Sequence, residues 1–452
     1  MNPAIELIRE TTRGTEYEGR LFLVGGIVRD KVMGRLPTED VDIVLEGDAL
    51  EFARFLHREG VTDHRPVVYH RFGTAMLLIR GHSVELVTAR RESYEAVSRN
   101  PEVEPADLYE DVLRRDFTIN TLLENLHTGE VLDLTGSGMA DIRAGLIRTP
   151  TYPDTTFYDD PLRMLRAIRF AVRFGFRIDG GTWEAIVRDA PRLTIISRER
   201  IRDEFVKIML SDHPSRGVRM LEESGLLKEF APELLEMRGV TQTGGHIYDV
   251  WNHSLHALDS LPPKTDLLLR LAVLLHDSGK PRTKTSDSAG NMHFYGHEEF
   301  SKRIATRVLN RLRFPKTEIG RVARLVSMHM RIGEYKESWT DAAVRRLMRD
   351  ADSDISDLIV LAKADRKGAN PNAQTDDLQD LEGRMEDILL KIRVEEFRSP
   401  LSGNEIMDIL QIAPGPKVRA AKQFLLDEVV EGRLSPDDKD SAHKLLLSKF
   451  PL

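Results

Sequence analysis

Three carboxylates fall on or beside two short apolar runs early in the chain. Asp40 and Asp42 flank the start of the run Val41–Leu45, and Glu85 lies within the run Val84–Thr88. Alternation along a strand places Asp40 and Asp42 on one face, where neighbouring carboxylates repel unless a cation lies between them. An isolated Asp-x-Asp more often caps a turn, but Glu85 adds a third acid whose unpaired burial would be costly. The set favours Mg²⁺ bound beside substrate phosphates, as in two-metal phosphoryl or nucleotidyl transfer.

A glycine pair precedes these acids in the segment LFLVGGIVRD. Gly25 and Gly26 lie between a strand-like run and a segment with helical spacing. Backbone N–H groups at the start of such a helix can bind a phosphate. Most glycine pairs are ordinary turns. The prediction of a phosphate site therefore depends on Arg29, one turn into the helix, and on the acids that follow.

A later segment carries four arginines at intervals of three, three and four residues, with apolar residues on another face of the same helix. They are Arg163, Arg166, Arg169 and Arg173. Like charges on one face repel unless anions bind, and a solvated helix normally intersperses acids. The stripe favours contact with a triphosphate and RNA over a solvated surface.

Half of the 14 histidines lie in one stretch, 246–329. Core packing does not explain that concentration, and because the chain has no Cys, any metal must be held by His, Asp or Glu. Imidazole together with carboxylate suits a divalent transition metal or Mn²⁺. His276 and Asp277 end an apolar run, where a buried histidine without a metal is the alternative. We interpret His256 and His293 as ordinary helix or surface residues.

The chain has 452 residues and a formal net charge of −8. That length predicts two to four domains. The opening MNPAIELIRETTRG has no uninterrupted apolar region, and no later run reaches the length that a membrane helix needs. We therefore expect no membrane partner and a cytoplasmic location. The negative total argues only weakly against a nucleic-acid partner, because binding depends on a local basic surface.

Short β-branched runs alternate with helical segments over about the first 150 residues. We predict strands at 20–24, 41–45, 72–79 and 84–88, and helices at 26–33 and 49–58. From about Thr156 onward, apolar residues recur at intervals of three and four, which predicts helices. The expected fold is an α+β head with a small mixed sheet, followed by all-α domains. Its predicted parts are a head at 1–148, a neck at 149–240, a metal-binding middle at 241–370 and a helical tail at 371–452.

Several segments follow one another in an order shared with a known family. They are LVGGIVRD, PTEDVDIVLEGDA, TARRESY, LRRDFTIN and DDPLRMLRAIRFAVRFGF. The series resembles the class II tRNA nucleotidyltransferases, which share a polymerase beta type of head with bacterial poly(A) polymerases, and it covers about the first 240 residues. The resemblance implies tRNA, CTP and ATP as partners, and Mg²⁺ held by Asp40 and Asp42 with Glu85.

The same resemblance implies nucleotide contacts. In LRRDFTIN, Arg115, Asp116 and Asn120 would surround the incoming nucleotide and select ribose, since a carboxylate and an amide suit a hydroxyl that both donates and accepts. For Arg114, a solvated loop position is an equal alternative. The implied nucleotide-binding residues are Gly25, Gly26, Arg29, Asp30, Arg114, Arg115, Asp116, Asn120, Asp160, Arg163, Arg166 and Arg169.

Base selection is implied for the segment DDPLR. Asp160 and Arg163 would act as a protein template for the Watson–Crick edges of C and then A, because Asp accepts and Arg donates. The family often has Glu-Asp where this chain has Asp159-Asp160, which leaves the pairing residues intact. The polar segment 92–113 is predicted to be a long loop. A flexible loop there accompanies the switch from C to A in the family, so its presence favours an enzyme able to add A.

The middle of the chain resembles the HD phosphohydrolase domain through HSLHAL, LLHDSGK, GHEEF, SMHMR and KADRKG. The resemblance implies metal ligation by His253, His276, Asp277 and Asp365, and by His297 and His329 as the extra ligands of members with two metals. It also leaves Lys280 able to bind a phosphate. The implied ion is a divalent transition metal, Mg²⁺ or Mn²⁺, and whether the domain is active stays open.

The segment PLSGNEIMDILQIAPGPKVRAAKQFLLDEVVEGRLS resembles the C-terminal part of bacterial tRNA nucleotidyltransferases. Lys417 and Arg419, near a helix start, would contact the RNA backbone, as would Arg173. A plain capping turn at Gly415 is an equal alternative.

These patterns together predict a template-independent tRNA nucleotidyltransferase that builds or repairs the 3'-terminal CCA from CTP and ATP and releases pyrophosphate. Addition of A alone, less so of CC alone, and poly(A) synthesis are alternatives within the class. Alternatives from other classes are a phosphohydrolase with an RNA-binding head and a catalytically silent RNA-binding protein, and the intact aspartate pair argues against both. We expect a monomer or a homodimer.

Overall fold

A computed structural model of the chain describes residues 2–36, 40–93, 102–243, 247–333, 335–391 and 398–450. Two compact units make up the chain, Met1–Pro232 and Glu233–Leu452. Within the described ranges, no helix combines the length and the apolar character needed to cross a membrane.

The first unit opens with a mixed sheet and short helices. Its strands are β1 (Leu21–Val24), β2 (Val41–Leu45), β3 (Val67–Tyr69), β4 (Thr74–Ile79), β5 (His82–Thr88), β6 (Arg90–Ser93), β7 (Glu102–Pro105), β8 (Leu123–Asn125), β9 (Val131–Leu132) and β10 (Leu146–Ile147). Its helices are α1 (Pro3–Thr12), α2 (Gly26–Val32), α3 (Ala49–Arg58), α4 (Leu108–Leu113) and α5 (Gly138–Ala144), with 3-10 turns at His70–Phe72 and Thr118–Asn120.

Seven strands form one sheet in the order β3-β4-β5-β2-β1-β8-β9. Strands β2 and β5 pair in parallel, and the other neighbours pair antiparallel. Ile43 and Leu86 pack in one core cluster with residues of α1 and α3, whereas Val44 packs in another with residues of α4. Because side chains alternate along a strand, Asp42 and Glu85 project from the face that carries Val44.

The rest of the first unit is helical. It contains α6 (Pro153–Asp159), α7 (Leu162–Phe174), α8 (Gly180–Asp189), α9 (Arg198–Met209), α10 (Pro214–Glu223) and α11 (Leu226–Phe230), with strand β11 (Arg177–Ile178) and a 3-10 turn at Ala190–Ile195. Helix α7 packs against α9 and α10. Its apolar stripe is buried, as the spacing predicts, at Leu165, Ile168 and Val172.

The second unit is almost wholly helical, with a 3-10 turn at Pro232–Met237 where it begins. It contains α12 (Val250–Asp259), α13 (Leu267–Leu275), α14 (Lys280–Thr283), β12 (Thr285–Ser286), β13 (Met292–His293), α15 (His297–Arg311), α16 (Lys316–Gly333), α17 (Asp341–Ala351), a 3-10 turn at Asp352–Asp354, α18 (Ile355–Ala369), α19 (Asp376–Lys391), α20 (Gly403–Leu410), α21 (Pro416–Val430) and α22 (Lys439–Lys449). Helices α20, α21 and α22 share their own apolar cluster, which includes Ile406, Leu425 and Leu446.

The predicted fold class, a mixed-sheet head followed by helical parts, is confirmed, with small differences. The strand predicted at 72–79 begins at Thr74, because Phe72 ends a 3-10 turn that Gly73 closes at a left-handed φ of 58°. Two short strand pairs also interrupt the parts predicted as all-α. Strand β11 pairs in parallel with β10, and β12 pairs with β13.

The prediction of a continuous long loop at 92–113 is wrong for the described residues. Strands β6 and β7 form an antiparallel hairpin, and α4 follows. Arg91 lies opposite Glu104, and their side chains form an ion pair at 2.6 Å. A cross-strand ion pair of this kind stabilises a polar hairpin that has no alternating apolar pattern. The part of the predicted loop at 94–101 lies outside the described residues.

Candidate active site and metal centre

The acids predicted to bind Mg²⁺ lie together at the sheet. In the parallel ladder, Asp42 is the partner of Glu85. The turn before α2 approaches them closely: Gly25 has φ of 74°, and a Cβ there would lie 3.7 Å from Asp42 Oδ2. Burial and the charges of Glu85 and Asp40 raise the pKa of Asp42 to about 6, although Arg115 opposes the shift. A divalent cation would neutralise this excess of negative charge, so the residues fit Mg²⁺.

A cavity of about 460 Å³ lies in front of these acids, large enough for a small ligand. Its lining residues are Gly25, Gly26, Arg29, Asp40, Asp42, Arg114, Arg115, Asp116, Asn120, Asp160, Arg163, Arg166, Arg169, Phe170, Arg173 and Arg200. Phe170 and Arg200 are not among the site residues predicted from the sequence. Phe170 follows an arginine of the stripe and has the character of a core residue, and Arg200 lies on α9 among several other charged residues. Asp30 and Glu85 are predicted site residues outside this lining.

Arg29 is buried, and its guanidinium serves other protein side chains. Its Nε donates to Asp30 Oδ1 at 2.7 Å, and its Nη1 donates to Asn120 Oδ1 at 2.7 Å. Burial lowers the pKa of Arg29, and the Asp30 carboxylate works against that shift. The rings of Phe170 and Phe174 lie 5.3 and 4.7 Å from the guanidinium carbon. The structure thus places Arg29 in the cavity lining, where it holds both Asn120 of the lining and Asp30, which lies outside it.

Asp116 is buried at the junction of the head with α7. Its Oδ2 accepts hydrogen bonds from Arg166 Nε at 2.8 Å and Nη2 at 2.5 Å. Its Oδ1 accepts from Asn120 Nδ2 at 2.9 Å. Burial alone would raise the pKa of Asp116, but the charge of Arg166 and the hydrogen bonds from Asn120 and Arg166 outweigh it and lower the pKa to about 2. Asp116 therefore stays an ionised acceptor at neutral pH.

Arg114 and Arg115 are both anchored by Asp111, a fully buried carboxylate. Arg114 Nη2 lies 2.6 Å from Asp111 Oδ1, and Arg115 Nη2 lies 2.7 Å from Asp111 Oδ2. Burial would raise the pKa of Asp111, but the two arginine charges lower it. The alternative that Arg114 is a solvated loop residue is therefore wrong. This anchoring fixes Arg115 close enough to Asp42 to act on its pKa.

Asp160 and Arg163 lie at the junction between α6 and α7. The Arg163 guanidinium donates to the backbone oxygens of Arg114 at 2.7 Å and of Thr156 at 3.3 Å. Asp160 accepts from Arg200 Nη2 at 2.7 Å. The structure brings this pair into the same cavity as the acids, which the predicted template role requires.

The arginine stripe of α7 meets protein carboxylates. Arg166 pairs with Asp116 at 2.5 Å, Arg169 with Glu204 at 2.6 Å, and Arg173 reaches Asp30 at 3.7 Å. The expectation that bound anions alone would relieve the repulsion is therefore wrong, because acids distant in sequence supply much of the relief. Burial lowers the pKa of Arg169 to about 10 despite Glu204.

Helices α12, α13, α15, α16 and α18 bring six predicted metal ligands of the second unit together. One group comprises His253, His276, Asp277 and Asp365, and another comprises Asp277, His297 and His329, with the ligand atoms of each group within 4.8 Å of one another. The groups share Asp277. Its Oδ2 lies 3.2 Å from His253 Nε2, and its Oδ1 lies 3.2 Å from His297 Nε2. Each carboxylate oxygen of Asp277 therefore faces a different group of histidines.

The imidazole orientations fit metal ligation. The Nδ1 atoms of His276, His297 and His329 lie 2.7, 2.8 and 2.7 Å from backbone oxygens three residues earlier. An Nδ1–H that donates there leaves Nε2 with a lone pair. The Nε2 atoms of His297 and His329 are 3.2 Å apart, and so are those of His253 and His276. In that neutral tautomer the facing lone pairs of His297 and His329 repel, and a cation between them would relieve the repulsion.

Lys280 adds a buried ammonium to this centre. Its Nζ lies 2.7 Å from Asp277 Oδ2 and donates to Gln242 Oε1 at 2.7 Å. Burial would raise the pKa of Asp277, but when no cation is bound a protonated His276, the Lys280 ammonium and hydrogen bonds from His253 and His276 hold it well below its usual range. The predicted phosphate contact of Lys280 would have to compete with this carboxylate.

Two glycines let the ligand-bearing segments approach each other. A Cβ at Gly279 would come within 2.3 Å of the His297 carbonyl oxygen, and one at Gly368 within 2.8 Å of the His253 carbonyl oxygen. Gly368 lies one turn after Asp365 on α18, where the helix packs against α12. A side chain there would push Asp365 away from His253.

Lys417 and Arg419 lie exposed in the first turn of α21, which begins at Pro416 as the Gly-Pro-Lys pattern predicts. Their contact with RNA, together with that of Arg173, stays a prediction.

We predict that Asp116→Asn lowers the free energy of unfolding of the first unit by about 2–3 kcal/mol at pH 7. Because the folded-state pKa of Asp116 is lowered to about 2, its contribution is present above the unfolded value of about 3.9 and is lost as pH falls through about 2. The difference between variant and parent in denaturant titrations should therefore shrink between pH 4 and pH 2. Asp154→Asn, at an exposed ion pair with Arg188, should change stability little at either pH.

We predict that Gly368→Ala lowers metal affinity in the second unit by about tenfold or more, because the added methyl displaces Asp365. Metal content after dialysis against a weak chelator measures this loss. Gly383→Ala on α19 is the matched control, since a Cβ at Gly383 meets nothing within 4 Å. Equal metal retention by both variants would show that Asp365 is not held by this helix contact.

Family models match three stretches of the chain. The model "Poly A polymerase head domain" matches residues 21–148, "Probable RNA and SrmB- binding site of polymerase A" matches 175–237, and "HD domain" matches 243–370. The HD match contains all six clustered metal residues, from His253 to Asp365.

Two relatives extend over nearly the whole chain. The CC-adding tRNA nucleotidyltransferase of Thermus thermophilus is 34% identical over 94% of this chain and 93% of its own length. The A-adding tRNA nucleotidyltransferase of Deinococcus radiodurans is 33% identical over 88% of each chain.

A solved structure shares the fold over its full length. The CCA-adding enzyme of Bacillus stearothermophilus in complex with CTP superposes with a TM-score of 0.71 at 22% identity, covering 99% of this chain and 98% of that one. With the family models and the two near full-length relatives, it confirms the resemblance predicted from the sequence segments. The chain belongs to the tRNA nucleotidyltransferase family.

Proposed function

We propose that the chain is a template-independent nucleotidyltransferase that builds or repairs the 3'-terminal CCA of tRNA from CTP and ATP. The observation that carries the proposal is one cavity that joins three kinds of group: the Asp40 and Asp42 carboxylates, the Gly25–Gly26 turn, and the Asp160 and Arg163 side chains. The first suits a metal, the second a phosphate and the third a base edge. Relatives that share nearly the full length carry names for the same class of reaction.

The reaction follows from this arrangement. In the proposed reaction the 3'-hydroxyl of the tRNA loses its proton to solvent and attacks the α-phosphorus. A P–O bond forms, and the bond between the α-phosphorus and the α,β-bridging oxygen breaks as pyrophosphate leaves. Mg²⁺ held by Asp40 and Asp42, with Glu85 behind them, would neutralise charge on the triphosphate. Arg115 and the backbone N–H groups that follow Gly25 would orient the phosphates. Catalysis then depends on positioning and charge more than on proton transfer.

Base selection would come from Asp160 and Arg163. An ionised carboxylate only accepts hydrogen bonds, so Asp160 suits the exocyclic amino group that C and A share. Arg163 only donates, so it suits the ring nitrogen acceptor that both edges present and the carbonyl oxygen that C presents beside it. U and G carry a carbonyl oxygen in place of that amino group, and this oxygen would face the Asp160 carboxylate unfavourably.

The number of nucleotides added is a separate question, because the two near full-length relatives are named for different partial reactions. Full CCA addition is our main proposal, with addition of A alone, CC alone or poly(A) as the alternatives. Purified protein incubated with tRNA that ends at the discriminator base, at C and at CC, with CTP and ATP singly and together, separates all of these outcomes.

We predict that Asp42→Asn lowers nucleotide incorporation in that assay by about 100-fold or more, because the variant cannot hold the metal charge beside the α-phosphate. Glu10→Gln is the matched control, since Glu10 is an exposed acid on α1 away from the cavity. Incorporation that survives Asp42→Asn unchanged would remove the head from the reaction.

We also propose that the second unit is a metal-dependent phosphohydrolase. The specific observation is the Asp277 carboxylate, whose two oxygens face two separate histidine groups. A carboxylate shared in this way can hold two metal ions a few ångström apart, an arrangement that stabilises the attacking and leaving oxygens of a phosphate ester. The ion is a divalent transition metal, Mg²⁺ or Mn²⁺.

We predict that His276→Ala abolishes metal-stimulated hydrolysis of phosphomonoesters and 2',3'-cyclic phosphates while nucleotide incorporation by the head continues. His256→Ala is the control. His256 lies one turn after the ligand His253 on α12 and stacks on Tyr248, and it does not belong to either group of metal ligands. Hydrolysis that is absent from the parent protein with Mg²⁺, Mn²⁺, Co²⁺ and Ni²⁺ would limit the centre to a structural role.

A further inference from the structure

Asp160 is held by an arginine that the sequence patterns did not single out. It lies at the C-terminal end of α6 with an extended backbone, φ of −143° and ψ of 100°. Its Oδ1 accepts the backbone N–H of Leu162 at 3.1 Å, and its Oδ2 accepts Nη2 of Arg200 at 2.7 Å. Arg200 belongs to α9, a helix that packs beside α7 and lies 40 residues further along the chain.

The two groups proposed to read the base are thereby fixed in different ways. Arg163 is fixed by two backbone oxygens, those of Arg114 and Thr156. The Asp160 carboxylate has one contact with a backbone N–H, that of Leu162 two residues later, and one with a side chain from another helix. A single bond to the Leu162 N–H leaves the carboxylate free to rotate about its side-chain torsions, whereas two bonds from different directions define its plane.

The contact with Arg200 leaves the carboxylate able to bind a base. A carboxylate offers about four lone-pair positions, and the contacts from Leu162 and Arg200 use two. The side chains of Arg200 and Asp160 are 43% and 21% exposed, and both residues line the cavity. An amino group that arrives from the cavity can therefore bond to Asp160 without displacing Arg200.

We propose that Arg200 is a specificity-determining positioning residue, which holds the Asp160 carboxylate in the orientation that accepts the exocyclic amino group of an incoming C or A. The proposal rests on the proposed nucleotidyltransferase function and on the base-reading role of Asp160. Arg200 acts through Asp160 and does not itself contact the base.

A different role for Arg200 has a different signature. A partly exposed arginine in a cavity with other cations could bind the triphosphate directly. In that case its loss would weaken all nucleoside triphosphates alike, because the triphosphate is common to them. A residue that orients Asp160 affects C and A, whose amino group faces Asp160, and leaves U and G, which have a carbonyl oxygen at that position, little changed. The ratio of kcat/KM for C over U, or for A over G, therefore falls.

The test compares parent, Arg200→Ala and Arg200→Lys full-length proteins. CTP and UTP compete on tRNA that ends at the discriminator base, and ATP and GTP compete on tRNA that ends at CC. The first arm measures addition of C and the second measures addition of A, so the test also works for an enzyme that adds only one of them. We expect Arg200→Ala to lower the kcat/KM ratio of CTP over UTP, or of ATP over GTP, by about tenfold. Arg200→Lys, which keeps a charged donor, should recover part of the ratio. Arg188→Ala, at an exposed arginine on α8 outside the cavity lining, should leave it unchanged.

A double-mutant cycle asks whether Arg200 acts through Asp160. In the Asp160→Ala background, Arg200→Ala should lower the ratio no further. An equal loss for all four nucleotides, an unchanged ratio, or a further fall in the Asp160→Ala background would overturn the proposal. A parent protein that incorporates no nucleotide would instead remove the proposed function itself, and the two failures are thus distinguishable. A matching thermal unfolding midpoint for Arg200→Lys and the parent shows that the ratio reflects the site.

Discussion

The contact between Asp116 and Arg166 is the interaction on which the cavity of the first unit depends. From Asp116, hydrogen bonds pass to Asn120, then to Arg29 and then to Asp30, which Arg173 approaches from the helix where the path began. The path therefore leaves α7 at Arg166 and returns to it about two turns later. Because buried charges must be paired to be tolerated, this closed path fixes α7 against α2 and the 3-10 turn at Thr118–Asn120.

The same constraint explains where a metal fits. Asp111, Asp116, Glu204 and Asp30 each have an arginine within reach. Asp42 differs, because burial and the negative charges of Glu85 and Asp40 outweigh the positive charge of Arg115 and raise its pKa. The arginines compensate the carboxylates that build the wall and leave the carboxylates at the sheet with an excess of negative charge. An electrostatic imbalance confined to one point marks a site for a cation and its phosphate ligand.

Local patterns predicted the elements that carry the chemistry. Strand alternation placed the acids on one face, helical spacing placed the apolar face of α7 in the core, and the resemblance to the HD domain implied the six residues that the structure clusters. The partners of those residues could not be predicted in this way. Glu204 meets Arg169, and Arg200 meets Asp160, only after α9 has packed against α7. The hairpin that pairs Arg91 with Glu104 carries no apolar alternation, which is why its segment was predicted to be a loop.

Asp277 gives the second unit a property that neither histidine group would have alone. One Asp277 oxygen is turned toward each group. Two bound ions would therefore share the single negative charge of this carboxylate, and they would also repel each other. The protein's affinity for the second ion then differs from its affinity for the first. By thermodynamic linkage, each ion changes the affinity for the other by the same factor. Occupancy of the pair would follow a stepwise binding curve rather than that of two independent sites, and free metal concentration would set whether one or two ions are present.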